Sequence, residues 1–499
     1  MHQLPKLRAG GLVLLVCAPL TAQDATGEGP PSPPEARASL ELGGVQHTYL
    51  ARAATLPLEA DDGTPRADVF HVDYRLLAPD GALPEPGGRP VTFVFNGGPG
   101  SSAVWLHMGA FGPRRVDLGP DGLSGAGPGT LFANEGSILD VTDLVFIDPV
   151  STGHSRAAQG VDAHEFHGVD EDAESVGEFI RLWLTRNARW ASPRYLCGES
   201  YGTTRAAVLA AHLQDERGIE LDGVILVSSV LNFGTIRFAA GNDLPFVLYL
   251  PTYAATAWYH GKLGAGFETL DQVLAQAEEF ALGPYASALL AGERLPDGQQ
   301  QALARQLAAL TGLDAEYLRA TNLRPDIMRF CKELLRDERK TVGRLDARFT
   351  GRDRDAAGET YEYDPSYAAI QGPFTAGLND YLRRELGWTG EREYAVLTGA
   401  VQPWKYREPN STLNVAEDLR AALARNPRLR VFVASGVYDL ATPYFATRYT
   451  FDHLGLEGGS AARVVHARYE SGHMLYIRPA DRRALRADLL EFYAGGAAR

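Results

Sequence analysis

The chain has 499 residues, of which 45% are hydrophobic and 22% are charged, and its formal net charge at pH 7 is −14. This length allows a large core, and it favours one inserted subdomain over several separate domains. The excess of acidic residues argues against nucleic acid or an anionic membrane surface as a partner. No stretch after the N-terminus approaches the length of a membrane span, so we expect no membrane association of the mature protein.

The N-terminus has the pattern of a secretory signal peptide. Lys6 and Arg8 precede an apolar run over residues 12–20, which is too short to cross a bilayer, and small residues follow it. We therefore expect cleavage of residues 1–23 and export to a periplasm or to the cell exterior. The next stretch is rich in glycine, proline and serine, which predicts a disordered tether over residues 24–37.

Strand-like runs then alternate with helical patterns, as in a mostly parallel sheet with helices on both faces. The predicted strands are Asp68–Leu77, Val91–Phe95, Leu144–Asp148, Arg194–Cys197, Gly223–Ser228, Leu429–Ala434 and Arg463–Arg468. No helical pattern separates the first two runs, and we expect them to form an antiparallel edge of the sheet.

The alternation stops between about residues 238 and 400, where helical patterns rich in alanine, leucine and glutamate replace the strand-like runs. Strand-like sequence resumes at Leu429. This organisation predicts an α/β core made of residues 38–237 and 401–499, with a helical cap over residues 238–400 inserted between two late strands.

The segment Gly198-Glu199-Ser200-Tyr201-Gly202 is the most informative one in the chain. A short apolar run leads into it and helix-forming residues follow, which is the strand–turn–helix context of a nucleophile elbow. Such a turn is so tight that a Cβ at Gly198 or Gly202 would collide with neighbouring backbone. The pattern predicts that Ser200 is a catalytic serine; the alternative is an ordinary glycine-flanked turn.

A serine hydroxyl is a weak nucleophile, so a histidine and an orienting carboxylate should follow it. Two late predicted strands end in turns that supply them in the order Ser, Asp, His. The first turn carries Asp439 and the second carries His473, while Asp452, in a predicted helix, is the alternative acid. We expect Ser200 to attack a carbonyl while His473 takes and returns the proton. Asp439 would fix the imidazole tautomer.

The oxyanion of such a reaction needs two backbone donors. One should be the amide of Tyr201, immediately after the nucleophile. The other should be the amide of Gly98, because the predicted strand Val91–Phe95 runs straight into a glycine-rich loop. A phosphate-binding loop is the alternative, but no Gly-Lys-Ser/Thr follows.

These blocks together resemble the serine carboxypeptidases (peptidase family S10). The matching segments are Asn96–Ser102, Gly198–Gly202, Gly436–Pro443 and Gly472–Met474, and residues 146–155 are similar to the family's loop before the elbow but one residue shorter. The resemblance covers the core from about residue 65 to 490. It implies an α/β-hydrolase fold with a helical cap and removal of the C-terminal residue from peptides with a free C-terminus.

The resemblance also implies residue roles. In the family, an asparagine at the Asn96 position and a glutamate at the Glu199 position hold the terminal carboxylate of the substrate. The amides of Gly98 and Tyr201 match its oxyanion hole. No cofactor is implied, and no metal is expected at His164-Glu165-Phe166-His167, where a third ligand is missing.

One departure from the family bears on this carboxylate site. Ala110 stands where the well-studied members carry a glutamate that pairs with the one at the Glu199 position, and a like-charged neighbour raises a carboxyl pKa. Without it, we expect Glu199 to ionise more readily near neutral pH and to repel a carboxylate. Activity on peptides would then require acid, or another group such as Arg205 or a cap residue would hold the terminus.

Three functions fit this sequence. The first is an exported serine carboxypeptidase that works through an acyl-enzyme. The second is an esterase or acyltransferase that uses the same triad, which release of a C-terminal amino acid would distinguish from the first. The third is a catalytically silent binding protein on a hydrolase scaffold, against which the complete triad and oxyanion loop argue.

Overall fold

The computed structural model of the chain describes residues 35–124, 127–456 and 458–495. In chain order, the strands are β1 (Glu35–Leu42), β2 (Val45–Glu59), β3 (Pro65–Leu76), β4 (Val91–Phe95), β5 (Arg114–Val116), β6 (Leu131–Ala133), β7 (Asp143–Ile147), β8 (Arg156–Ala157), β9 (Arg194–Ser200), β10 (Gly223–Ser229), β11 (Thr341–Val342), β12 (Thr350–Gly351), β13 (Arg430–Gly436) and β14 (Val464–Tyr469).

Ten of these strands form one sheet within the described ranges. Its order is β1-β2-β3-β7-β4-β9-β10-β13-β14, with β8 paired to β3. The strands β1, β2, β3 and β7 pair antiparallel in turn, whereas every pairing from β7 to β14 is parallel. The central sheet is therefore mostly parallel, as the alternating sequence pattern predicts.

The strand Val91–Phe95 does not lie at an antiparallel edge, and that prediction is wrong. It is β4, in the middle of the sheet, and it pairs parallel with both β7 and β9. All five of its residues are buried, as expected for a parallel strand that is covered on both faces. The short, helix-free connection from β3 to β4 does not make them neighbours, because β7 lies between them and pairs antiparallel with β3 and parallel with β4.

The antiparallel edge is built instead by β1, β2 and β3. β1 pairs with β2 along its whole length, from Glu35 opposite Arg52 to Leu42 opposite Val45. Residues 35–37 therefore belong to a strand, and the predicted tether extends too far at its C-terminal end. The predicted signal peptide and the tether up to residue 34 lie outside the described residues.

The helices are α1 (Val169–Arg186), α2 (Tyr201–Arg217), α3 (Leu244–Tyr259), α4 (Leu270–Phe280), α5 (Ala286–Ala291), α6 (Asp297–Thr311), α7 (Ala315–Ala320), α8 (Ile327–Glu333), α9 (Pro365–Arg384), α10 (Ala416–Arg425), α11 (Tyr444–Asp452) and α12 (Pro479–Tyr493). Helices α3 to α9 all fall between β10 and β13, together with the short β11–β12 pair. In the described residues, no helix combines the length and the hydropathy that a membrane span requires.

The apolar core lies on both faces of the sheet. Alternate side chains of β4 show this directly: Phe93 packs in a cluster with Trp183 of α1, whereas Val94 packs in a second cluster with Phe374 of α9. A third cluster joins α3 and its neighbours to Phe445 of α11. The parallel strands are thus held rigidly from both sides, which fixes the turns at their carboxyl ends where functional groups collect.

Candidate active site

Ser200 lies at the junction of β9 and α2 in a strained turn. Its backbone angles are φ 59° and ψ −130°, in a region that side chains other than glycine rarely adopt. A Cβ on Gly198 would overlap the carbonyl group of Gly202, and one on Gly202 would lie 2.9 Å from the carbonyl oxygen of Phe95. The two glycines are therefore required by the tightness of the turn, and the turn places Ser200 at the wall of a cavity.

Asp439 and His473 come together beside this cavity from the turns after β13 and β14. The imidazole Nδ1 lies 2.7 Å from Oδ2 of Asp439. Asp439 is fully buried, and its carboxylate accepts hydrogen bonds from the amides of Ala441 (2.7 Å) and Thr442 (3.0 Å). Asp452, the alternative acid, is exposed near the end of α11 and does not line the cavity.

Thr442 completes the environment of the acid. Its hydroxyl donates to Oδ2 of Asp439 at 2.7 Å and lies 3.3 Å from Nδ1 of His473. Burial lowers the pKa of His473, but the Asp439 carboxylate outweighs this effect and leaves the pKa above its ordinary value. Because Nδ1 is bound to the acid, Nε2 is the ring nitrogen left for proton exchange with a nucleophile.

The glycine-rich loop after β4 packs directly on the elbow. A Cβ on Gly97 would overlap the backbone nitrogen of Tyr201, so the loop can approach only because this residue is glycine. Gly98 has φ 102°, and it lines the same cavity as Ser200 and Tyr201. The two backbone segments that the sequence predicts as oxyanion donors are therefore adjacent.

Glu199 and Asn96 lie side by side at the floor of the cavity, both almost completely buried. Oδ1 of Asn96 accepts a 3.1 Å hydrogen bond from the amide of Leu106, so its NH2 group is the donor of the hydrogen bond to Glu199 and has a second N–H for a ligand. Burial raises the pKa of Glu199 to about 7, against the opposing effects of His473 and of hydrogen bonds from Tyr476 and Asn96. Glu199 is therefore neutral in much of its population at neutral pH even without a second carboxyl group.

Tyr476 occupies the space beside Glu199, a role that no sequence pattern predicts. Its hydroxyl donates a 2.6 Å hydrogen bond to Oε2 of Glu199. Residues 106–111 form a π-helical turn next to it, in which a Cβ on Gly109 would lie 2.5 Å from the Tyr476 ring. The absence of a side chain at Gly109 thus leaves room for the aromatic ring, and a phenol is the partner of Glu199.

The cavity in front of Ser200 has a volume of about 470 Å³. Its walls are largely aromatic and aliphatic, and include Trp105, Phe233, Tyr367, Ile370, Leu397 and Tyr406. Arg237 and Arg344 also line it, whereas Arg205 does not: Arg205 is buried, and it binds Asp172 (2.6 Å) and the carbonyl oxygen of Asn96 (2.5 Å). Arg205 is therefore engaged inside the protein and is not available to hold a substrate.

Comparisons with known proteins point to one family. The family model described as serine carboxypeptidase matches residues 81–238. Serine carboxypeptidase-like 36 of Arabidopsis thaliana is 30% identical over 154 residues, which are 30% of this chain and 30% of that protein. A pheromone-processing carboxypeptidase of Yarrowia lipolytica is 30% identical over 141 residues, 28% of this chain and 21% of that protein. The matched segments thus span a third or less of these two relatives.

A solved structure extends the likeness over the whole fold. A prohormone-processing carboxypeptidase from Saccharomyces cerevisiae superimposes with a TM-score of 0.54 at 16% identity. The match covers 89% of this chain and 91% of that one. The α/β-hydrolase fold expected from the sequence is confirmed.

Proposed function

We propose that this chain, which belongs to the serine carboxypeptidase family, hydrolyses the C-terminal peptide bond of peptides. One observation carries the proposal: a single cavity brings Ser200 and His473 together with the buried Asn96–Glu199 pair. The first two residues supply a nucleophile and a base. The second two supply neutral hydrogen-bond donors, which are what a terminal carboxylate requires.

The reaction would proceed through an acyl-enzyme. Ser200 attacks the scissile carbonyl as His473 accepts its proton, and the imidazolium then protonates the leaving amino acid. Asp439 stabilises the imidazolium through the Nδ1 hydrogen bond. The amides of Gly98 and Tyr201 would bind the developing oxyanion, and loss of one such donor costs about 10²–10³ in kcat. Water then takes the place of the leaving amino acid: His473 accepts its proton as it attacks the acyl-enzyme, and the imidazolium returns a proton to the oxygen of Ser200.

Glu199 would make binding of the terminal carboxylate depend on pH. In its neutral form it donates a hydrogen bond to the carboxylate, as the Asn96 amide does. In its ionised form it repels the substrate. With a pKa of about 7, the pair works in mild acid and near neutrality, so the glutamate missing at Ala110 does not confine the enzyme to strongly acidic conditions.

We also propose the domain organisation and export that the sequence pattern favours. Residues 1–23 would direct export to a periplasm or to the exterior, and the segment 238–400 would act as a cap over the active site. Support for the cap comes from the cavity, to which this segment contributes Arg344, Tyr367 and Ile370. Peptides with a free C-terminus are the proposed substrates, with no cofactor.

The test compares the mature protein with its Ser200→Ala variant. Both are incubated with N-blocked dipeptides and the matching esters from pH 4 to pH 8, and released amino acids are quantified. Serine-dependent release from the peptides would support a carboxypeptidase. Ester cleavage with no peptide cleavage at any pH would contradict it and favour an esterase or acyltransferase.

A further inference from the structure

Arg344 lines the catalytic cavity, and its positive charge acts on His473, whose pKa it lowers. The residue is half-buried, and its guanidinium forms no ion pair or side-chain hydrogen bond within residues 35–124, 127–456 and 458–495. Arg205 shows the contrast, since its buried guanidinium is paired with Asp172. A partly desolvated cation without a counter-ion gains free energy from an anionic partner.

The backbone that carries Arg344 is fixed against both catalytic turns. The amide of His473 donates a 2.6 Å hydrogen bond to the carbonyl oxygen of Leu345, and the amide of Leu440 donates at 3.1 Å to the carbonyl oxygen of Arg344 itself. Leu440 directly follows the triad acid. The position of the Arg344 side chain is therefore set by the same turns that hold the triad.

The acidic residues that contact this loop are already engaged. Asp346 binds Arg348, with Nε and one terminal nitrogen of the guanidinium 2.6–3.2 Å from its carboxylate oxygens. Asp364 accepts the backbone amides of Arg344 (3.1 Å) and Leu345 (3.3 Å). Neither carboxylate forms an ion pair with the Arg344 guanidinium.

The cavity itself is poor in negative charge. Of the described residues that line it, Glu199 is the one with a carboxyl group, and burial raises the pKa of this group to about 7, so that it is mostly neutral at pH 6. Arg237 adds a second guanidinium, which lies over the rings of Phe233 and Tyr406 at 5.8 and 5.6 Å. The two arginines therefore outnumber the one carboxyl group among the lining residues, which favours an anionic ligand although the protein as a whole is acidic.

We propose that Arg344 binds a carboxylate of the peptide substrate within one residue of the scissile bond. This carboxylate is either the C-terminal one or that of an acidic side chain beside the bond. The inference rests on the proposed carboxypeptidase function. It adds a positive charge to a carboxylate site in which Asn96 and Glu199 supply none. Asn96 and neutral Glu199 donate hydrogen bonds only, whereas a guanidinium offers parallel N–H donors and a full positive charge.

The experiment measures binding, so that it does not depend on turnover. Ser200→Ala protein serves as the parent, and isothermal titration at pH 6 gives Kd for an N-acetylated dipeptide and its C-terminal amide. A second pair carries glutamate or glutamine at the penultimate position. Adding Arg344→Gln should weaken binding of the recognised acid about tenfold or more, and Arg344→Lys should restore part of the loss. Arg352→Gln, an exposed residue of the same segment outside the cavity, should change nothing.

The two sources of the carboxylate give different patterns. If Arg344 binds the C-terminus, Arg344→Gln weakens binding of the dipeptide with a free C-terminus. Binding of its C-terminal amide, which is already weaker, stays unchanged. If it binds a side chain, the loss falls on the glutamate peptide and spares the glutamine peptide. Equal affinities of the parent and Arg344→Gln for every acid would overturn the inference.

Failure of the inference is distinguishable from failure of the proposed function. Serine-dependent release of amino acids by protein that retains Ser200, with affinities independent of Arg344, would overturn the inference alone. If the protein neither releases amino acids nor binds any of the acidic peptides, both the inference and the proposed function are overturned.

Discussion

The hydroxyl of Tyr476 and the carboxyl group of Glu199 are joined by a 2.6 Å hydrogen bond across 277 positions of the chain. Both side chains are almost completely buried. The phenol donates to the carboxylate, so the bond favours the charged form of Glu199 and lowers its pKa, whereas burial raises the pKa to about 7. The protonation of Glu199 is thus a balance between desolvation and hydrogen bonding, and it responds to changes at either residue.

Replacement of Tyr476 by phenylalanine tests this balance. The change removes a donor that favours ionised Glu199, so the pKa of Glu199 should rise and the decline of kcat/KM at alkaline pH should move up by about one pH unit. The measurement is a pH–rate profile on an N-blocked dipeptide. Tyr469→Phe is the matched control, because Tyr469 donates a 2.7 Å bond to Asp488 away from the cavity. An alkaline limb that stays in place or moves down would contradict the assignment.

Glu199→Gln should change both sides of the pH profile. Glutamine donates at every pH, so the loss of peptide binding that we expect of the wild-type protein above about pH 7 should be absent from the variant. The charge of Glu199 also helps to raise the pKa of His473. Its removal should lower that pKa and extend activity to lower pH, because the base must be neutral to accept a proton.

The readout for Glu199→Gln is the ratio of kcat/KM at pH 8 to that at pH 6. The ratio should be higher in the variant than in the wild type, because the variant does not lose binding of the peptide carboxylate above pH 7. An ester substrate without a free carboxylate provides the control, since its binding should not depend on the charge of Glu199. A variant that still loses peptide activity above pH 7, with unchanged KM, would show that another group titrates there.

Asp439→Asn should reduce kcat by about 10³–10⁴, because the amide cannot hold the imidazole in the required tautomer or stabilise its charged form. KM should change little, since Asp439 does not line the cavity. Asp452→Asn removes the alternative, exposed acid and should leave kcat unchanged. Steady-state kinetics of both variants on the same peptide would decide between the two acids, and a larger effect at Asp452 would overturn the triad.

Gly97→Ala should lower kcat by about 10² or more, because the added methyl group would displace the loop from the amide of Tyr201. Gly88→Ala introduces the same methyl group where no atom lies within 4 Å, and it serves as the control. Circular dichroism should show folded protein in both cases. A fully active Gly97→Ala enzyme would mean that this loop does not supply an oxyanion donor.

Arg205→Leu should lower the free energy of unfolding by about 3–5 kcal/mol, because Asp172 would remain buried without its counter-ion. The double variant with Asp172→Asn should recover part of this loss. Arg425→Ala, which breaks an exposed pair with Asp215, should cost less than about 1 kcal/mol. Urea denaturation followed by fluorescence gives all three values, and similar losses at both arginines would contradict a structural role specific to Arg205.

The parts of this fold that could be predicted from sequence are those set by short-range sterics. The elbow around Ser200 follows from two glycines and the strand and helix beside them. The turns that carry Asp439 and His473 follow from strand-like runs that end in glycine-containing segments. In each case a few consecutive residues contain the information.

Other features depend on distant partners. No local pattern predicts β1 and β2, because both strands mix buried residues with exposed or half-buried ones and β1 begins next to a proline-rich stretch. The central position of β4 depends on pairings with β7 and β9 that no local pattern encodes. The contact of Tyr476 with Glu199 likewise arises only when the turn after β14 packs against the elbow.

The hydrogen bond from the amide of His473 to the carbonyl oxygen of Leu345 links the proposed catalytic base to the segment inserted between β10 and β13. That segment also supplies part of the wall of the cavity in front of Ser200. The segment therefore cannot be exchanged without an effect on His473. Replacing it with the insertion of a relative would change the cavity wall and would also remove the hydrogen bond that holds the backbone of His473. Engineering of this scaffold should keep residues 343–348 and vary the helices around them.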